Sequence, residues 1–264
     1  MRGARRAQRR STAVVWSWVK RVALLLSAGA LLVTAASFAV RESSDPRFAL
    51  ESIAVTGNAH AGSSEIVTAA ALPRGENVWL MDVRGALARV EALPWVRSAA
   101  IHRSWPNRVR ISVVERVPVA RIRLPSSPED PAAGGQYALI DADANVLDVG
   151  ATVLERHLPV FGLNPLPAGA TEPGASLAQT DAAVALDAAR RLNGLGVRYA
   201  EIDIDPATGF SAVLLNGLRV AFGNADRLRQ KIALLAAIVP RIHDTAAVRY
   251  LDLRSTNAPT VLYK

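Results

Sequence analysis

Two groups of acidic residues have the types and spacing that could carry chemistry. In the first, Asp141, Asp143 and Asn145 stand at every second position, which is how the calcium-binding loop of an EF-hand begins. That loop requires glycine at its sixth position and glutamate at its twelfth, where this chain has Val146 and Thr152. The spacing therefore favours a polar hairpin turn over a calcium site.

The second group is Glu201, Asp203 and Asp205, which share one face of a predicted strand. Two of these carboxylates could act as an acid/base pair or bind a cation. They alternate, however, with the apolar residues Ala200, Ile202 and Ile204, and this pattern is typical of a strand with one face in water. A solvated strand face explains the three carboxylates more simply than a catalytic site does.

Other catalytic patterns are incomplete. The run Gly209-Phe210-Ser211-Ala212 begins like the nucleophile elbow of a hydrolase, but Val213 occupies the position that must be glycine. The histidines at positions 60, 102, 157 and 243 lack the spacing of metal ligands, and the chain contains no cysteine. These residues therefore predict no catalytic residue, no metal site, no cofactor and no small-molecule substrate.

The basic residues indicate membrane topology rather than nucleic-acid binding. The formal net charge is +8, but seven of the 31 lysines and arginines lie within the first 21 positions, where there is no acid. This leaves 24 basic residues against 23 acidic ones, so the rest of the chain is nearly neutral. Arg103, Arg108, Arg110 and Arg116 could form a basic stripe beside Trp105, as in some nucleic-acid sites. The near-neutral balance favours a solvated sheet face instead, and no nucleic-acid partner is predicted.

Residues 22–40 form an apolar stretch of 19 residues without a charged side chain. As a helix it would be about 28 Å long, close to the roughly 30 Å hydrocarbon core of a bilayer. The basic segment 1–21 should stay in the cytoplasm, which predicts a single-pass, type II inner-membrane protein with an exported C-terminal part. The alternative is a secretory signal cleaved after Ser37-Phe38-Ala39, but this apolar run exceeds the usual length of a signal core.

A first folded unit is predicted over residues 48–119. A strand over 48–56 ends at Gly57-Asn58, Ser63 or Ser64 could cap the helix that follows, and Asp82 could cap a second helix. Two further strands are predicted over 95–103 and 108–115. The order is β-α-α-β-β, with the helices packed on one face of a small sheet.

A second unit is predicted over residues 120–264. It begins with a Pro- and Gly-rich loop (124–135), followed by a hairpin of strands 137–141 and 145–149. Thr180 could cap a helix with its apolar face at Val184, Ala185, Ala188, Ala189 and Leu192. Strands follow over 199–205, 210–215 and 218–222, the last two joined by Asn216-Gly217, which favours a type I′ turn. Asn224 could cap a last helix, before strands over 248–254 and 260–263.

The final short strand, Thr260 to Tyr263, has no following segment to cover it. An uncovered edge offers free N–H and C=O groups and is a candidate for strand addition by a partner. Taken alone, the pattern also fits a strand that merely completes the sheet.

Four strings in the first unit resemble the POTRA (polypeptide-transport-associated) domain of the FtsQ/DivIB family of bacterial cell-division proteins. They are Val55-Thr56-Gly57-Asn58, Leu93-Pro94-Trp95-Val96, Arg103-Ser104-Trp105-Pro106-Asn107 and Val113-Val114-Glu115-Arg116-Val117-Pro118-Val119-Ala120. The resemblance implies an α+β fold: a cytoplasmic tail (1–21), a single transmembrane helix (22–40), a POTRA domain (48–119) and a mixed C-terminal β domain with packed helices (120–264).

The resemblance also implies a function. Members of this family are non-enzymatic scaffolds of the divisome at the septum, whose C-terminal strands bind an FtsB–FtsL-like pair and help control septal wall synthesis. Further partners would be proteins like FtsK, FtsW and FtsI. By position, the expected contact residues are Tyr250, Asp252, Arg254, Ser255, Asn257, Thr260, Val261 and Tyr263. The last helix, with Arg227, Arg229 and Lys231 exposed, would border them.

Two other classes of function stay open on the sequence. One is a POTRA-bearing envelope protein that handles polypeptides for secretion or outer-membrane assembly, which should continue into many amphipathic barrel strands. The other is a membrane-anchored wall hydrolase, which would need a catalytic carboxylate such as Asp203 or Asp205 in a cleft.

Overall fold

A computed structural model describes residues 16, 18, 20–34, 45–125, 135–150, 155–242 and 247–264. Residues 20–34 are helical, and Leu24, Leu25 and Leu31 are exposed along this segment. Among the described residues, no helix combines the length and apolarity needed to cross a membrane. The predicted span continues through residues 35–40, which lie outside the described residues. The same holds for the alternative signal-cleavage site at 37–39, for most of the predicted tail and for His243.

The first domain has the predicted β-α-α-β-β order. Its elements are β1 (Ser52–Thr56), α1 (Ser63–Ala70), α2 (Val83–Glu91), β2 (Val96–Ser104) and β3 (Arg108–Glu115). The sheet has the order β1-β3-β2, with β1 parallel and β2 antiparallel to β3. Every second residue of β3 from Val109 to Val113 faces the helices, so the hydrophobic core lies between α1, α2 and one face of the sheet.

The ends of the first elements differ in part from the prediction. Asp82 caps α2 as expected, because its Oδ1 accepts a hydrogen bond from the Gly85 N–H at 2.9 Å. The expected serine cap of α1 is wrong, since the helix already begins at Ser63 and Gly62 is its N-cap. The first strand is shorter than predicted, because Pro46–Phe48 forms a 3₁₀ turn with Asp45 as its cap.

In the second domain, nine strands of the described residues form one mixed sheet in the order β12-β11-β10-β9-β8-β7-β4-β5-β6. The strands are β4 (Pro118–Arg123), β5 (Tyr137–Asp141), β6 (Val146–Gly150), β7 (Val160–Leu163), β8 (Tyr199–Asp205), β9 (Gly209–Leu214), β10 (Arg219–Gly223), β11 (Val248–Asp252) and β12 (Thr260–Tyr263). Helices α3 (Asp181–Gly194) and α4 (Leu228–Ile238) pack on one face, against buried side chains such as Phe161, Ile202 and Leu251. Residues 126–134, within the predicted loop, lie outside the described residues.

Several local predictions for the second domain need correction. Val184 and Ala200, expected inside, are exposed. The turn between β9 and β10 is not type I′, because φ is positive at Gly217 (82°) but not at Asn216. Thr180 caps α3 as predicted, whereas the N-cap of α4 is Arg227 and not Asn224.

The two domains contact each other at the end of the first sheet where β3 finishes. The Arg116 guanidinium donates to Asp141 Oδ2 at 2.8 Å. Trp95 packs on Leu139 and Leu147, and its ring stacks on His60 at 4.3 Å between centroids. This end of the first domain is therefore occupied by contacts with the second.

Candidate partner-binding edge

Strand β12 forms one edge of the large sheet. It pairs antiparallel with β11, with Tyr250 opposite Leu262 and Asp252 opposite Thr260. Within the described residues, no strand pairs with the outer side of β12. This position agrees with the predicted edge strand and leaves a row of backbone groups available for pairing.

A hydrogen bond just after β12 shows which backbone groups of this strand point away from the sheet. The Lys264 N–H donates to Ala247 O at 2.9 Å, on the β11 side. Backbone groups of successive residues in a strand point to opposite sides, so Thr260 and Leu262 also face β11. The N–H and C=O groups of Val261 and Tyr263 therefore point to the free edge.

The side chains of β11 and β12 divide between the two faces of the sheet. Val261 and Leu251 face the helices, and Leu251 is buried in the core. Tyr250 and Leu262 lie on the opposite, partly exposed face. On that face, neighbouring strands place in one row the side chains of Leu262, Tyr250, Arg219, Val213 and Glu201. A partner strand added to this edge would continue both rows.

Asp252 and Arg254 are locked together where β11 ends. The Arg254 backbone N–H donates to Asp252 Oδ1 at 2.9 Å, and Nη2 donates to Oδ2 at 2.6 Å. The Arg254 hydrogen bonds lower the pKa of Asp252, and Asp252 in turn raises the pKa of Arg254. The Arg254 side chain also passes Gly223, where an added Cβ would come within 2.9 Å of Arg254 Cγ. The guanidinium is thus held in one place while remaining exposed.

Lys231 is buried, which contradicts the prediction that it is exposed beside Arg227 and Arg229. Its side chain is 3% exposed, and Nζ donates to Phe222 O at 2.8 Å and to Asn224 O at 3.0 Å. Burial lowers the pKa of Lys231. Its ammonium joins the end of β10 to the first turn of α4, where Arg227 has a φ of 55°.

A small open cavity lies between the β11–β12 loop and the turn at the start of α4. The cavity has a volume of about 310 Å³ and is lined by Asn224, Asp226, Arg227, Lys231, Arg254, Ser255, Thr256 and Asn257. Its rim is mainly polar, which suits hydrogen bonds to a partner rather than burial of an apolar anchor.

The eight predicted contact residues fall into three groups along the edge. Arg254, Ser255 and Asn257 gather at the cavity, next to Asp252 and Thr260. Tyr263 lies at the other end of β12, about 10 Å away at the usual rise of a strand. Tyr250 and Val261 lie between them on opposite faces.

Leu262 is missing from the predicted set, although it is exposed beside Tyr250. Alternation along the strand from Thr260 was the signal that could have identified it.

The carboxylates of β8 lie on the face opposite the core isoleucines, as predicted, but they are only partly exposed and have specific partners. Asp205 caps a turn by accepting from the N–H groups of Ala207 and Thr208, and its bond from Asn164 is the main cause of a lowered pKa. Glu201 and Asp203 instead share the Arg123 guanidinium.

Burial, together with the neighbouring Glu201 charge, raises the pKa of Asp203 to about 6. A cavity of about 540 Å³ opens beside Asp203, and Arg123 lines it as well. The described residues contain no cluster of histidines and acids that could hold a metal ion.

Asp141, Asp143 and Asn145 form a polar turn, as predicted. Asp141 is buried, and Oδ1 accepts from the N–H groups of Asp143 and Asn145 at 2.9 and 2.8 Å. Burial opposes ionisation, but these bonds and those from Asn145 and Arg116 lower the pKa of Asp141 below its ordinary value. Its oxygens are occupied by protein donors.

The four arginines that could have formed a basic stripe do not share one face, and the solvated sheet face favoured for them holds only for Arg108 and Arg110. Arg103 lies opposite Val109 on the helix-covered face, with its guanidinium 6.0 Å from the Trp79 ring centroid. Arg116 is paired with Asp141, and only Arg108 and Arg110 of the four lie on the exposed face of β3. One face cannot present all four charges to a nucleic acid.

The comparisons with known proteins agree with this arrangement. Residues 48–116 match the family model of the POTRA domain, FtsQ-type, and residues 132–254 match the C-terminal domain of cell division protein FtsQ/DivIB. The cell division protein FtsQ of Chloroflexus aurantiacus is 32% identical over 217 residues, 80% of this chain and 72% of the relative. That of Burkholderia pseudomallei is 26% identical over 252 residues, 92% of both chains.

These matches define a protein with a POTRA domain followed by a β domain, in the order that the structure also has. The chain belongs to the FtsQ/DivIB family of bacterial cell-division proteins.

Proposed function

We propose that this protein is a non-enzymatic scaffold of the divisome that binds an FtsB–FtsL-like pair by adding a partner strand to β12. Through that pair it helps control septal wall synthesis, and it also contacts proteins like FtsK, FtsW and FtsI. The observation that carries the proposal is the exposed backbone edge of β12, next to a polar cavity and a fixed arginine. Strand addition at such an edge takes its affinity from backbone bonds and its selectivity from alternate side chains.

The eight predicted contact residues, together with Leu262, have distinct roles in this proposal. Val261 and Tyr263 supply the backbone donors and acceptors. Tyr250 and Leu262 form an apolar step beside the added strand. At the other end Arg254, held by Asp252, meets an acidic group of the partner, while Ser255, Asn257 and Thr260 hydrogen-bond with the chain that follows.

We propose the topology in the same terms. Residues 22–40 span the inner membrane at the septum, with segment 1–21 in the cytoplasm and the domains 48–119 and 120–264 in the periplasm. The exposed leucines of the helical segment 20–34 and the concentration of positive charge before residue 22 support this orientation.

The experiment is capture of the FtsB–FtsL-like pair by the full-length membrane protein, with site-specific crosslinking from β12 in cells. Deleting residues 259–264 should leave the protein folded and membrane-bound but stop capture. A finer variant is Val261→Pro, which removes an outward N–H while leaving the β11–β12 ladder intact. Val261→Ala is the matched control, because it shortens the same side chain but keeps the donor.

We expect capture to be lost with Val261→Pro and retained with Val261→Ala, with similar thermal unfolding of both. Full capture by Val261→Pro would refute strand addition. Equal loss with both variants would mean that the Val261 side chain, and not the backbone edge, makes the contact.

A further inference from the structure

Residues 48–51 lie at one end of the first domain, where they join two other segments. Leu50 N–H donates to Glu76 O at 2.8 Å, and Val78 N–H donates to Phe48 O at 2.9 Å. Glu51 N–H donates to Asn107 O at 3.0 Å. The segment 74–80 and the turn 105–107 therefore flank the residues through which the chain enters the domain.

These two flanking segments carry three large exposed apolar side chains. Trp79 is 46% exposed, Leu80 is 69% exposed and Trp105 is 74% exposed. The Trp79 backbone N–H donates to Asn77 Oδ1 at 2.9 Å, and the Arg103 guanidinium lies over the Trp79 ring, 6.0 Å from its centroid. Three apolar side chains of this size, exposed on adjoining segments, mark a surface that contacts something apolar.

The charges at this end are mixed, with a small excess of arginine. Arg47, Arg74, Arg103 and Arg108 lie on or beside these segments, together with Asp45, Glu51 and Glu76. Arg47 is paired with Asp45. Tryptophan with arginine is typical of the boundary between lipid headgroups and acyl chains, where the indole N–H stays in the polar layer.

The distance to the bilayer is short. Seven residues lie between Val40, the end of the proposed span, and Phe48, so the two are at most about 28 Å apart even in a fully extended chain. The opposite end of the domain, near Val117, is about 25 Å further away along β3. The entry side of the domain, and not its far side, is therefore the one that reaches the membrane surface.

We propose that Trp79, Leu80 and Trp105 insert into the outer interface of the membrane that residues 22–40 span. This membrane contact rests on the span in the proposed function. It would hold the first domain against the bilayer, so that the distance of the β12 edge from the membrane is set by the protein and not by a loose tether. The occupant is the lipid surface itself, with acyl chains below the tryptophans and phosphates beside Arg74 and Arg108.

The absence of cysteine from the sequence allows a clean test with single cysteines in the full chain. Leu80→Cys and Trp105→Cys would carry an environment-sensitive fluorophore in nanodiscs of phosphatidylethanolamine and phosphatidylglycerol. Val117→Cys is the matched control, because Val117 is 72% exposed but lies at the other end of β3. A quencher attached to lipid headgroups should reduce emission several-fold at positions 80 and 105 and leave position 117 almost unchanged.

A second measurement separates the membrane contact from the span on which it rests. Protease protection of residues 22–40 in the same nanodiscs tests insertion directly. Protected residues with unquenched labels at 80 and 105 would overturn the membrane contact and leave the span intact, whereas failure to insert would overturn both.

Two further outcomes would also refute the lipid contact. Equal quenching at 80, 105 and 117 would mean that the domain has no fixed orientation on the membrane. Quenching in native membranes but not in pure lipid would assign the patch to a protein partner.

Discussion

The two edge strands of the large sheet, β6 and β12, differ in whether their outer side is covered. Strand β6 is covered at its first residue by the segment 174–177: Val146 N–H donates to Ala175 O at 2.9 Å, and Gly174 N–H donates to Val146 O at 2.8 Å. Strand β12, at the other end, has no such cover within the described residues. Because exposed edges favour aggregation, proteins usually block them. A sheet that covers the start of one edge strand and leaves the other edge strand open has an open edge that is best explained by a partner.

The largest effect is expected near the blocked edge, at Asp141. Replacing Asp141 by Ala would leave the Arg116 guanidinium and the turn N–H groups without their acceptor, which should lower the free energy of unfolding by about 3 to 5 kcal/mol. Urea unfolding measures this loss. Asp143→Ala is the control, because its exposed carboxylate lies 4.0 Å from Arg97 and contributes little.

The Asp141 effect should also depend on pH. The folded state holds the pKa of Asp141 below its ordinary value, so its stabilisation is complete above that ordinary value and is lost as the pH falls through the folded pKa. The difference between the wild type and Asp141→Ala should therefore shrink in acid. A difference that stays constant down to strongly acidic pH would contradict this assignment.

The next effect concerns the turn beside the open edge. Lys231→Met keeps the apolar part of the side chain but leaves the carbonyl groups of Phe222 and Asn224 without their donor, which should cost about 2 to 3 kcal/mol. The turn lines the same cavity as Arg254, so partner capture should weaken too. Arg229→Met, on the exposed side of α4, should change neither the unfolding midpoint nor capture; equal effects of both variants would argue against the role of Lys231.

The caps show how much of this architecture the sequence could predict. Thr180 and Asp82 were predictable because a short polar side chain precedes an apolar helical pattern, which is a local signal. The start of α4 was not, since Arg227 adopts its positive φ where Lys231 binds two carbonyls of a neighbouring strand and turn. That contact depends on tertiary packing, and the spacing of lysines and arginines does not encode it.

The candidate site was predictable to a similar degree. Alternation placed Leu251 and Leu253 in the core and Tyr250 on the opposite face. The sequence could not reveal that the other edge of the sheet is blocked, because the 174–177 segment is an irregular loop rich in turn residues. The contrast between the edges required the long-range pairing of β6 with that loop.

A smaller effect of opposite sign is expected in the middle of the sheet. The pKa of Asp203 is raised to about 6 from 3.8, so the folded state disfavours its charge and stability falls as the pH rises through this range. Asp203→Asn removes this cost and should raise the free energy of unfolding at pH 8 by about 1 kcal/mol, after allowance for solvent screening. It should bring no gain at pH 4, and a gain of equal size at both pH values would refute the titration.

The smallest expected effect tests the blocked edge itself. Gly174 has a φ of 90°, a conformation that alanine adopts only with strain, so Gly174→Ala should cost about 1 kcal/mol and loosen the segment that covers β6. Gly194→Ala is the matched control, because an added Cβ there meets nothing within 4 Å. If the cover blocks the edge, Gly174→Ala should also increase concentration-dependent association, measured by light scattering in detergent. The same loss of unfolding free energy without association would mean that the 174–177 segment stabilises the hairpin but does not protect the edge. The difference between β6 and β12 would then not support a partner at β12.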